Sequence, residues 1–125
     1  MSKIGLNANI YQLTGKYLNL INDLIVEIKT TPNTIDQKKK EELIAFFSKV
    51  IDDDTMDPQI QLMTIIIERE FWKKGKLANM TVFIRSLING LNEKNVTIET
   101  AQKLETIVEA FDTEHTVAFD RIKGT

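Results

Sequence analysis

Apolar residues recur three and four positions apart from Ile10 to Ile122, the spacing of one buried helix face. Start and stop signals cut this pattern into about five stretches. In the first, Ile10, Leu13, Tyr17, Leu20, Ile21, Leu24 and Ile28 share a face, with Gln12, Asn19, Asp23 and Glu27 opposite. Residues 1–8 show no sustained pattern and read as a flexible arm, with Asn7 or Asn9 as the cap of the first helix. Thr30-Thr31-Pro32-Asn33 ends that helix, because a residue before proline avoids the α region.

Thr34-Ile35-Asp36-Gln37 has the form of a capping box, with Thr34 and Gln37 satisfying backbone donors reciprocally. The second helix is expected to run to Ile51 and to bury Leu43, Ile44, Phe46, Phe47, Val50 and Ile51. Asp52, Asp53 and Asp54 oppose the negative end of its dipole and stop it there. Asp57-Pro58 opens the third helix, aspartate as cap and proline at the first helical position. Lys73-Lys74-Gly75 closes it, with cations in the last turn and glycine just beyond. A helix running straight through Gly75 competes with this reading. The apolar stripe opposes it: Leu77, Met80, Ile84, Leu87 and Leu91, projected backwards, fall on Lys73 and Glu70.

The fourth helix then spans roughly 77–91 and is followed by the polar link Asn92-Glu93-Lys94-Asn95. Thr97 caps the last helix, with Glu99 in its first turn. Its buried face is Ala101, Leu104, Ile107, Val108, Phe111, Ala118, Phe119 and Ile122. The fold expected is all-α: a single domain over 1–125, a compact bundle of four to five mostly antiparallel helices joined by short connections. The order in which the helices pack is not readable from the pattern.

Composition narrows the chemistry. The chain has no cysteine, which removes disulfides, thiolate metal sites and a thiol nucleophile, and fits a reducing, cytoplasmic setting. Met1-Ser2-Lys3-Ile4-Gly5 does not lead into the apolar run of a secretory signal. A net charge of −2 advertises neither nucleic acid nor an anionic membrane. The first helix is amphipathic, but its polar face is neutral to acidic, so core packing is expected and no membrane partner. The bias toward isoleucine, lysine and asparagine is compatible with an AT-rich bacterial or phage genome.

One histidine, His115, sits near the middle of the last helix's apolar stripe, with Asp112 three residues before it. Catalysis would need a partner group and a pocket, so a hydrogen-bonded core or interface histidine is expected. The acidic run Asp52 to Asp57 lacks the glycine of a calcium loop, and Met63 stands where that loop needs its bidentate glutamate. Gly75 does not make a helix-turn-helix, since Lys76 and Phe71 occupy places that motif gives to an apolar and a small residue. No catalytic residue, cofactor or metal is expected, and the chain reads as no enzyme.

The third helix carries the one functional clue. Ile60, Met63, Ile66, Ile67 and Phe71 form an apolar arc, while Ile65, Arg69 and Trp72 lie off its centre. Either the helix is central and Trp72 belongs to the core, or the three residues form a binding strip rimmed by Lys73, Lys74 and Lys76. The second reading makes Trp72 and Arg69 dispensable for stability. It implies a protein partner, with an inhibitor or adaptor of bacterial, phage or mobile-element origin as the concrete form. Self-association into a homodimer is another use of the same strip or of the His115 face. A nucleic-acid-associated subunit is the alternative from another class: Lys38-Lys39-Lys40 and Lys73-Lys74-Lys76 would grip phosphates if the fold brings them together. Arg69, Arg85 and Arg121 are the only arginines, so base reading is poorly provided for.

Overall fold

The computed structural model describes residues 3–124. Five α-helices, with no strand among the described residues, make an all-α bundle: α1 (Lys3–Thr30), α2 (Gln37–Val50), α3 (Pro58–Lys73), α4 (Met80–Asn92) and α5 (Ile98–Lys123). A 3-10 turn (Leu77–Asn79) leads into α4. Each helix delivers at least one fully enclosed side chain to a common core: Leu24, Phe47, Ile67, Leu87 and Phe111.

The helix ends show which local signals prevailed. α1 begins at Lys3, so positions 3–8 of the expected arm are helical and neither Asn7 nor Asn9 is a cap. Asn7 is buried, and tertiary packing has carried the helix past the start of its apolar pattern. Met1 and Ser2, also assigned to the arm, lie outside the described residues. The capping box at Thr34 does not form either. Ile35 is buried, and the helix starts two residues later than that box requires. Asp36 is the cap, its Oδ1 accepting the Lys38 and Lys39 amides at 2.9 and 3.2 Å. The Thr34 hydroxyl donates instead to the Thr31 carbonyl. The Asp36 amide is taken by Glu27 Oε1 of α1 at 2.9 Å, which ties the two helices at their joint.

The Asp57-Pro58 start behaves as expected, Asp57 Oδ1 accepting the Gln59 amide at 2.9 Å. α3 ends in a left-handed glycine: Gly75 has φ 69°, the Gly75 amide reaches the Trp72 carbonyl, and the Lys76 amide reaches the Phe71 carbonyl at 2.8 Å. This paired closure satisfies the last carbonyls and turns the chain away from the axis of α3.

α1 and α5 share the most extensive contact in the molecule. They run antiparallel, since Tyr11 stacks on His115 near one end and Lys29 meets Glu105 near the other. α2 returns along α1, with Lys39 against Asp23 and Glu27, and Tyr17 stacked on Phe46 at 4.1 Å. Burial raises the Tyr17 pKa, and the nearby Glu42 and Asp57 carboxylates add to the shift. α3 is antiparallel to α5, as Arg69 pairs with Glu114 and Lys74 with Glu109. α4 closes the bundle against α2 and α5. It approaches α5 at Gly90, where an added Cβ would collide with the Thr100 side chain.

The apolar stripes differ from expectation in places: Ile44 of α2 and Ile51 just beyond it are only half-buried. On α5, Phe119 is exposed and Ile122 is half-buried, while Ala110 and Thr100 are buried. On α1 the buried face is broader and takes in Leu18 and Ile25, because α2 and α5 pack on adjacent sides of it. None of the described helices is long and apolar enough to cross a membrane.

Candidate functional site

α3 has one packed side and one bare side. Ile60, Met63, Ile66, Ile67 and Phe71 are buried. Trp72 is 68% exposed and Ile65 is 51% exposed, so the tryptophan lies on the surface and not in the core. Leu77, 45% exposed, joins them from the 3-10 turn. Its place on this surface had no signal in the sequence, where it reads as the first buried residue of α4. With Glu68 and Arg69 these side chains line a shallow cleft of about 280 Å³.

Arg69 links this strip to the interior. Its Nη1 donates to Glu114 Oε1 at 2.9 Å, and Glu114 is only 8% exposed while the Arg69 side chain is 52% exposed. A buried carboxylate without its cation would keep its desolvation cost. Arg69 is therefore structural as well as accessible, which corrects the expectation that its removal leaves stability untouched. Helical spacing could have flagged Glu114, which lies three residues after Phe111 and four before Ala118 on the buried face of α5.

The lysines expected as a rim do not act together. Lys73 is exposed beside Trp72 and has no ion pair among the described residues. Lys74 turns toward α5, where its Nζ donates to Glu109 Oε2 at 2.7 Å and also lies 3.7 Å from Glu70. The hydrogen bond to Glu109 raises the Lys74 pKa, against desolvation, which lowers it, and with help from the Glu109 and Glu70 charges. Lys76 lines a separate cleft of about 330 Å³ with Phe71, Phe83 and Thr106. The strip thus keeps Ile65, Arg69, Trp72 and Lys73 of the expected set, gains Glu68 and Leu77, and loses Lys74 and Lys76.

The second lysine cluster is seated on a different helix. Lys39 loses some solvation, which lowers its pKa, but Asp23 and Glu27 outweigh that and hold it above the ordinary lysine range. Each cluster therefore has its central lysine neutralised by carboxylates of a neighbouring helix, α1 for Lys39 and α5 for Lys74.

His115 belongs to the seam between α1 and α5. Its Nδ1 lies 2.9 Å from Thr14 Oγ1 and 3.1 Å from the Tyr11 carbonyl. The carbonyl can only accept, so Nδ1 carries the proton. The Thr14 hydroxyl spends its own proton on the Ile10 carbonyl at 2.7 Å and is free to accept. The ring stacks on Tyr11, centroids 4.3 Å apart. The partners come from α1, not from Asp112. In the acidic loop, Asp52 Oδ1 accepts the Asp54 amide, a local turn. Among the described residues no group of three or more acids or histidines is placed to hold a metal ion.

Comparison of the chain with protein-family models, with curated proteins and with solved structures finds no match in any of the three.

Proposed function

We infer that this protein works without catalysis, as a helical bundle that binds protein through the outer strip of α3. The reading is carried by Trp72: a large aromatic side chain, 68% exposed, beside the exposed Ile65 and Leu77. Exposed tryptophan flanked by arginine and aliphatic residues is the composition of interface hot spots. The strip stands on a helix whose other side is locked into the core, so little ordering cost attaches to binding. The lone imidazole is engaged in the α1–α5 seam, which favours a binding role over acid–base chemistry.

In its most specific form the proposal is an inhibitor or adaptor of bacterial, phage or mobile-element origin, acting in the cytoplasm by masking a site on another protein. The absence of cysteine supports a reducing compartment. Nucleic-acid binding has less support, since the central lysine of each cluster is already paired.

The test is comparative capture from a bacterial lysate with three baits: wild type, Trp72→Ala and Val82→Ala. Val82 is an equally exposed apolar residue on α4, outside the strip. Trp72→Ala is expected to lose the proteins that wild type and Val82→Ala both retain, with its melting temperature preserved. Equal retention by all three baits would refute the assignment.

A further inference from the structure

The strip has two flanks of opposite charge. Ile65 and Trp72 are seven residues apart and lie on nearly one azimuth of α3. At about 100° per residue, Glu68 falls on one side of that line, and on the other fall Lys73 and Arg69, the latter half exposed and already bonded to Glu114 through Nη1. Asp52 and Asp53 extend the acidic side, sharing a surface depression with Ile65 and Glu68. α5 extends the basic side. Arg121 lies seven residues beyond Glu114, on the same face of that helix, and is exposed. Because α3 and α5 are antiparallel, Arg121 falls near the N-terminal half of α3, level with the acidic loop.

We propose that the occupant of the strip is a second copy of this chain, docked across a two-fold axis that runs along α3. The two α3 helices then lie parallel, and Ile65 meets Ile65 while Trp72 meets Trp72. Such an axis exchanges the flanks. Arg69 and Lys73 of each copy face Glu68 of the other, and Arg121 faces Asp52 and Asp53. Every contact is made twice, as two-fold symmetry requires. An axis crossing α3 would instead keep each flank on its own side, with Glu68 against Glu68 and Arg69 against Arg69. Like charges opposed across an interface disfavour that orientation. A foreign protein would need the same split polarity, and would have to displace the second copy. The inference rests on the strip being a docking face, and it names what docks there.

Sedimentation velocity of the full chain, from micromolar to millimolar concentration, tests the pairing. The expected result is a reversible monomer–dimer equilibrium that weakens as salt screens the flanks. Trp72→Ala should be monomeric throughout, and Glu68→Lys should raise the dissociation constant roughly tenfold or more. The chain has no cysteine, so Ile65→Cys offers a single thiol. The parallel arrangement predicts that it cross-links to its own copy on oxidation; the antiparallel one requires a second cysteine at position 72. A wild type that stays monomeric at millimolar concentration overturns the second copy as occupant and leaves the strip open to other proteins. A dimer indifferent to Trp72→Ala overturns the pairing and leaves the strip's binding of other proteins to the capture comparison. A dimer that Trp72→Ala abolishes, but that Ile65→Cys fails to cross-link, overturns the proposed axis.

Discussion

The two sides of α3 are built from the same kinds of residue and meet opposite fates. Met63, Ile67 and Phe71 look inward and are almost wholly enclosed, whereas Ile65 and Trp72 look outward and are more than half bare. Hydrophobicity does not separate them. Position relative to neighbours does: α2 and α5 pack beside α3, and among the described residues no helix covers Ile65 and Trp72. Val26, Val82 and Phe119 are also exposed on other helices, and what singles out α3 is that its bare face joins an aliphatic side chain to the tryptophan. Between the two sides stands Arg69, which is half on the surface yet pairs with a buried acid.

Substitutions along α3 should grade from its inner to its outer side. Phe71→Ala is expected to cost the most, about 3–5 kcal/mol, because it empties a core position packed edge-on against Phe83. Chemical denaturation would measure it; a loss below about 1 kcal/mol would mean that the inner side is not core. Arg69→Ala should cost about 1–2 kcal/mol by stranding Glu114. The double variant Arg69→Ala with Glu114→Gln should recover part of that, and a double as unstable as the sum of the singles would argue against the pair. Gly75→Ala should cost about 1 kcal/mol, since alanine is strained at the positive φ that closes α3. A thermal melt identical to wild type would show that the turn relaxes. Smallest is Trp72→Ala, within about 0.5 kcal/mol of wild type by the same denaturation. If it unfolds the protein, the contrast between the two sides disappears.

Much of this architecture was legible beforehand, and the failures have identifiable causes. The Asp57-Pro58 start and the Gly75 stop were readable because both act through local backbone geometry. So was the break between α3 and α4, from the change in direction of the apolar stripe. The start of α1 was missed because the helix extends beyond the start of its apolar pattern, where packing buries Asn7. At α2, Thr34 and Asp36 both had capping chemistry. The burial of Ile35 and the Glu27 carboxylate waiting on α1 decided between them, and both are long-range effects. The strip was visible as residues off the centre of an arc. Its exposure was not, because the helix wheel does not say how many neighbours a helix has. For the same reason Leu77 was assigned inward and Phe119 was expected to be covered.

The pairing of α1 with α5 has a consequence for how the molecule is made. The longest seam joins α1 to α5, so the side of α1 that faces α5 has no cover until the ribosome has produced the residues after Ile98. Closure of that seam draws together segments separated by most of the chain, and contacts of such long range slow folding. A nascent chain halted in the loop before α5 would carry Tyr11 and Tyr17 without their ring partners His115 and Phe111, a state open to chaperones and proteases.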